Sequence, residues 1–269
     1  MAENNKNIDD LCEKFTPLTL EKKLTTVKKE RNEVQKHGFT WQDQLLTNVY
    51  KATTEELDSI KYTAAIDLPA KFNHINPNVN LSIKTSNTLN TVCMGYPINI
   101  YNHVNNKEIR YHMTVVFYEQ IDETKKKIIK IIEVDLSDSK DILFKDITIE
   151  EIEELSNYVK SIPEKRSPTK EEHKKMYEMK DKLDLKMDVF QINIKCNRQQ
   201  SRIQCSINKF KKFIEEHPER IIAQSINGEF RGGKISNEIN SGPRVFNNSE
   251  DELLEEFLNL TGISDSDEE

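Results

Sequence analysis

The chain has 269 residues, a formal net charge of −7, 32% charged and 36% hydrophobic residues, and a mean hydropathy of −0.71. One large domain or two small ones with a real core fit that length, while no stretch approaches the roughly 20 apolar residues of a membrane span and MAENNKNIDDLCEKF lacks the apolar centre of a secretory signal. Seven glycines and eight prolines exclude a fibrous or low-complexity chain, and four cysteines without CxxC spacing (Cys12, Cys93, Cys196, Cys205) point to an intracellular, reducing compartment.

Residues 1–20 are polar and without sustained apolar period, and read as a flexible arm; residues 21–36 are charged and helix-permissive. After His37-Gly38, Trp41, Leu45, Leu46, Val49 and Tyr50 recur at helical spacing. Strands are expected at YTAAID (62–67) and VNLSIKT (79–85), with the turn-rich PAKFNHINPN between them. A third and fourth strand follow at 111–120 and 127–136, joined by a charged turn at Asp122-Glu123-Thr124. Helices return at 148–160, where Thr148 and Glu151 form a capping-box pattern, and at 169–184. Two more strands (189–195 and 201–207) and a short helix (209–216) precede the glycine-rich 227–248, read as loop with room for one strand. The expected fold is α/β or α+β, a mixed central sheet flanked by helices in a single domain over 21–248.

The net charge averages two unlike parts. Residues 249–269 hold nine acids and no Lys or Arg, so removing them from a net −7 leaves +2 for residues 1–248. The overall pI of about 5.6 therefore says little about the body of the chain.

One constellation suits phosphodiester chemistry. Asp67 ends an apolar run, and in the next strand Ser82 and Lys84 share one face while Ile83 takes the other. A carboxylate can hold Mg²⁺ through oxygen, and an ammonium beside it can orient a water and offset phosphate charge. A second acidic ligand is the usual requirement, and Ser82 stands where it would be expected.

The order helix, strand with Asp, strand with x-x-Lys, third strand resembles the core of the PD-(D/E)XK nucleases. The stretches GFTWQDQLLTNVY, NLSIKTS, RQQSRIQCSI and FRGGKISNEINSGPR are similar to restriction-endonuclease-like proteins of large DNA viruses, over roughly residues 38–246. The resemblance implies a restriction-endonuclease-like core of the SxK variant, with a catalytic half at about 38–136 and a DNA-recognition half at about 186–246. It also implies Mg²⁺-dependent, sequence-specific cleavage of duplex DNA by a homodimer, with Mn²⁺ as a substitute, in the cytoplasm or nucleus of a host cell if the chain is viral. On that pattern Asp67 binds the metal, Lys84 is the catalytic lysine, and Gln42, Asp43 and Ser82 line the site. Gln42 and Tyr96 stand where the group favours acids, so either Asp43 or Glu133 completes the site or the chain is an inactivated relative that binds DNA without cutting it.

A second constellation suits DNA reading. Residues 189–213 contain Lys195, Arg198, Arg202, Lys209, Lys211 and Lys212 and no acid. In an extended strand Arg198, Gln200, Arg202 and Gln204 share one parity, opposite Ile203, Cys205 and Ile207. Arg and Gln can pair bidentately with guanine and adenine, and a two-stranded ribbon fits a major groove. Lys209 and Lys212 are expected on phosphate, and Arg231 and Arg244 lie on glycine-containing loops that could clamp DNA. The uncharged stretch 85–106 suits either close approach to a phosphate backbone or a plain connection between strands. In the acidic tail, Leu253, Leu254, Phe257, Leu258 and Leu260 fall at helical spacing; the tail reads as a solubilising terminus, a contact for a protein partner, or a cover for the chain's own basic face.

Overall fold

The protein is described by a computed structural model at Gly38 and at residues 40–60 and 66–241. The first described helix, α1 (residues 40–49), ends in a π-helical turn at Leu45–Val49. Its apolar stripe is fully used: Trp41, Leu45, Leu46, Val49 and Tyr50 are all buried. A capping box at Thr53 and Glu56 then starts α2 (Thr54–Asp58). The strands and helices that follow are β1 (Val79–Ser86), β2 (Val92–Gly95), α3 (Pro97–Val104), β3 (Arg110–Asp122) and β4 (Lys125–Asp135). Next come α4 (Lys140–Leu143), α5 (Ile149–Ser161), α6 (Lys170–Asp184), β5 (Phe190–Asn197), β6 (Gln200–Ile207) and α7 (Phe210–Glu216). Four short strands close the described chain: β7 (Ile221–Ser225), β8 (Glu229–Phe230), β9 (Gly233–Lys234) and β10 (Glu238–Asn240).

The central sheet has the order β1-β3-β4-β10, with β7 also paired to β4. β1 runs parallel to β3 and every other pairing is antiparallel, so the sheet is mixed, as expected. Alternation along β3 feeds two apolar layers. Tyr111, Met113, Val115 and Phe117 join a large cluster with the three-stranded sheet β2-β6-β5 and with α3, α5, α6 and α7. Val116, with Ile128 and Ile131 of β4, packs on the other side against Trp41, Leu45 and Phe230. The 38–136 and 186–246 segments thus share both clusters.

α5 and α6 start where their sequence says they should: Thr148 with Glu151 and Thr169 with Glu172 each form a complete capping box. Elsewhere the structure departs from the reading. Residues 62–65 of the expected first strand lie outside the described residues, and Asp67 sits in a bend before a single bridge, Leu68 to Leu81. The uncharged stretch after Lys84 contains β2 and α3; Pro97 opens the helix, whose buried Pro97, Ile100 and Val104 hide among asparagines. The glycine-rich segment holds β8, β9 and β10. Arg231 (φ 49°) and Gly232 (φ 76°) form a two-residue turn with both φ positive, the geometry a tight hairpin needs. A Cβ on the next residue, Gly233, would lie 2.6 Å from the Asn48 carbonyl oxygen, so only glycine lets this hairpin lie against α1. The N-terminal arm, Arg244 and the acidic tail lie outside the described residues. No described helix is long and apolar enough to cross a membrane.

Candidate active site

Ser82 and Lys84 pair in register with Met113 and Val115 and share their face of the central sheet, while Ile83 pairs with Thr114 on the other. β1 is the edge strand of this sheet. Leu81 exchanges backbone hydrogen bonds with Leu68, and the next outward amide, that of Ile83, donates to Asp67 Oδ2 at 2.7 Å. The carboxylate therefore continues the ladder where backbone pairing stops. The same oxygen accepts from Ser82 Oγ at 3.0 Å and from Lys84 Nζ at 3.2 Å. The Gln42 amide, on α1, donates to Asp67 Oδ1 at 3.2 Å. Four of the five expected catalytic positions thus meet at one carboxylate.

Ser82 is fully buried, whereas the Lys84 and Asp67 side chains keep 24% and 17% of their accessibility, which leaves the ion pair reachable from solvent. Behind it stands Tyr111, whose hydroxyl is buried and has no hydrogen-bond partner among the described residues. Burial pushes the Tyr111 phenol well above its usual pKa; the neighbouring Ser82 hydroxyl opposes the rise and the Asp67 charge adds to it. Asp43, the fifth position, is exposed, and its backbone carbonyl accepts from Thr47.

Glu133 does not complete the site. It pairs with Thr114, on the opposite face from Ser82 and Lys84. There it is buried and accepts from Tyr50 Oη at 3.0 Å, bonds His112 Nδ1 at 2.8 Å, and receives the Arg231 guanidinium. Burial alone would raise its carboxyl, but His112 and Arg231 hold it below the usual carboxylate range. The Arg231 side chain expected to clamp DNA is thus engaged in an ion pair with the buried Glu133, while keeping 24% of its own accessibility. Sequence reasoning missed this network. Its signal was polar residues at alternate positions of two otherwise apolar strands, His112 and Thr114 on β3 and Glu133 and Asp135 on β4.

Among the described residues no group of three His, Cys, Asp or Glu side chains is placed to share a metal ion. The Asp67 cluster offers one carboxylate, and its Oδ1 carries only the Gln42 bond. Mg²⁺ keeps several waters and commonly takes one or two carboxylates plus substrate phosphates. That donor set fits an ion held jointly with a phosphate rather than an all-protein cage.

β5 and β6 pair as the expected hairpin, but β6 also pairs with β2 through Cys205–Ile207, so only the turn end of the hairpin is a two-stranded ribbon. Gln204 faces Asn193, and Arg202 faces Lys195, while Ile203 faces Ile194 and Cys205 faces Ile192. Ile192, Ile203 and Cys205 are buried; Lys195 and Arg202 are exposed. Arg198 sits in the two-residue turn instead of on the strand, and the Arg202 Nε donates to Gln200 Oε1 at 2.9 Å. Lys209 and Lys212 both bond Asp188, one residue before the acid-free segment, and hold its carboxyl down at about 2. Their charge is largely spent within the fold, whereas Lys195, Arg198 and Arg202 have no ion-pair partner among the described residues.

Compared with protein-family models, with curated proteins and with solved structures, the chain matches none.

Proposed function

We propose that this protein is a Mg²⁺-dependent endonuclease of the PD-(D/E)XK type that cuts duplex DNA at a short sequence. The observation that carries the reading is the meeting of Gln42, Asp67, Ser82 and Lys84 at one partly accessible carboxylate on a sheet edge. Residues that carry the family resemblance at separated points of the sequence fall together in space, and the lysine sits beside the acid.

In this reading Asp67 Oδ1, with a phosphate oxygen of the DNA, would hold the ion. Bound there, it would polarise the scissile phosphate and lower the pKa of a coordinated water. Lys84 offsets charge as it develops on the phosphate and orients the attacking water. Ser82 and the Ile83 amide fix the carboxylate, and Gln42 sets its rotation. Gln200, Arg202 and Gln204, with Lys195 opposite and Arg198 at the turn, form the DNA-reading ribbon.

The single carboxylate favours a second reading: the same fold bound to DNA without cutting it. Incubation with a long mixed-sequence duplex and Mg²⁺ or Mn²⁺ separates the two. Discrete fragments from the parent protein, lost in both Asp67→Ala and Lys84→Ala, establish cleavage. A gel shift without fragments establishes the binder, and neither shift nor fragments ends both readings.

A further inference from the structure

The outer face of the β5–β6 hairpin carries polar side chains from both strands, and the fold already uses some of them. Toward β2, Asn193 Nδ2 donates to Ser206 Oγ at 2.9 Å, and Ser206 Oγ donates to Asn208 Oδ1 at 2.7 Å. Asn208 in turn donates to Gln191 Oε1. Toward the turn the arrangement differs. Arg202 is exposed and directly faces the exposed Lys195. Like charges facing across an antiparallel pair destabilise it, and neither cation has an ion-pair partner among the described residues. Yet Arg202 is held, because its Nε donates to Gln200 Oε1 at 2.9 Å. The backbone beneath the pair is held as well. Asn197 Oδ1 accepts from the amides of Gln199 at 2.9 Å and Gln200 at 3.1 Å. The buried Ser201, between the two side chains, donates its hydroxyl to the carbonyl of Ile162 at 2.7 Å, at the end of α5.

From these contacts we infer that Arg202 sets sequence preference through a guanine in the recognised DNA, and that Gln200 is its positioning residue and not a base reader. With Nε occupied, the guanidinium presents its two terminal nitrogens as a fork, and such a fork fits O6 and N7 of guanine in the major groove. Holding the arginine before DNA arrives reduces the rotamer freedom lost on binding, so more of the contact appears as affinity. A lysine has no fork and acts as a point charge. Lys195 therefore contacts phosphate, which adds affinity without choosing a sequence. The repulsion between the two cations, unfavourable in the free protein, is relieved when a phosphate and a guanine edge take them up. The inference rests on the DNA reading proposed above and adds which base is read and by which atoms.

The test selects duplexes from a randomised pool with the full chain carrying Lys84→Ala, in Mg²⁺, so that bound DNA is not cut. The selected sequences should share at least one guanine. Replacing it with 7-deazaguanine, which lacks N7, should weaken binding about 5-fold and leave binding by the Arg202→Gln protein unmoved. Arg202→Gln should lower the preference for that guanine by about 5- to 150-fold, and Gln200→Ala by about 5-fold, the effect of one hydrogen bond. Gln200→Glu keeps the acceptor and should keep the preference. Lys195→Gln should weaken every duplex alike and reduce the slope of log affinity against log salt by about 1. A guanine preference that survives Arg202→Gln, or selected sequences that share no guanine, overturns the inference and leaves DNA binding standing. If no duplex binds at any salt concentration, the DNA reading falls and the inference falls with it. Should Arg202→Gln unfold, the 7-deazaguanine duplex decides alone, and unchanged affinity refutes the contact.

Discussion

Two polar clusters occupy opposite faces of the central sheet, and they are built on different principles. Around Glu133, a buried carboxylate meets His112, Tyr50 and Arg231, and Tyr50 Oη also bonds Thr114 Oγ1 at 2.7 Å. Glu133, His112 and Tyr50 are buried, only the Arg231 side chain keeps 24% of its accessibility, and the charges of the cluster answer one another. Around Asp67, a carboxylate at a sheet edge meets an amide, a hydroxyl, a backbone N–H and a partly exposed lysine. Buried ionic networks are costly to break from within, whereas partly exposed pairs contribute little to stability. The first cluster therefore holds β3, β4, α1 and the β8–β9 hairpin in place, and the second is free to act on something outside the fold.

The sharpest way to break this contrast is to remove each carboxylate's partner set and ask which property fails. Glu133→Ala leaves Arg231 and His112 without their acid in a buried site, and should cost about 3–5 kcal/mol, a fall of roughly 10 °C in melting temperature for a domain of this size. Thermal unfolding followed by circular dichroism reads it directly; a shift of under 2 °C would mean that the network is no keystone. Lys84→Ala should do the reverse. If the protein is the endonuclease proposed above, cleavage should fall by about 100- to 1000-fold, while stability changes by less than about 1 kcal/mol. A variant that cleaves normally removes Lys84 from the mechanism.

Acid titration tests the Glu133 cluster. Glu133 is held below its ordinary value of 4.5 by His112 and Arg231 despite its burial. A depressed folded-state pKa contributes stability that is fully present above the unfolded value and is lost as pH falls through the folded one. Arg231→Gln removes one of the charged donors and should cost roughly 1.5–3 kcal/mol at neutral pH. The gap between parent and variant should narrow below pH 4.5, where Glu133 begins to be protonated in the unfolded chain. Urea unfolding at a series of pH values checks this; a gap independent of pH would assign the Arg231 effect to packing of the hairpin.

How much of this was legible beforehand differs between the clusters for a physical reason. Ser82 and Lys84 were placed on one face by period-2 alternation alone, and Asp67 reaches them because Leu68 pairs with Leu81 next to it. The capping-box pattern of Thr148 and Glu151 located the start of α5 almost to the residue, and α6 also begins where it was expected, after Thr169. The Glu133 network escaped notice because its members lie far apart in sequence, and a polar residue in an apolar strand does not name its partner. α3 escaped because its three buried positions are spread over eight residues rich in Asn and Ile, where helical period is hard to see. Lys209 and Lys212 were assigned to phosphate because a count that starts at Val189 stops one residue short of Asp188, the acid that pairs with both.

The finest distinction concerns whether Asp67 is an ion site or only an edge cap. Gln42 already touches Asp67 Oδ1, so Gln42→Glu places a second carboxylate beside it without moving any backbone. If the cluster is built to hold Mg²⁺, a second charged oxygen should raise affinity for the ion by about 10-fold, because ligand charge count tunes such sites. The same change without metal sets two carboxylates against each other and should lower stability slightly. The prediction is therefore a crossover. The variant melts below the parent in EDTA and meets or passes it as Mg²⁺ is added, since an ion that binds only the folded state stabilises it by mass action. A variant that stays below the parent at every Mg²⁺ concentration would make Asp67 a cap for the Ile83 amide and take the metal out of the proposed function.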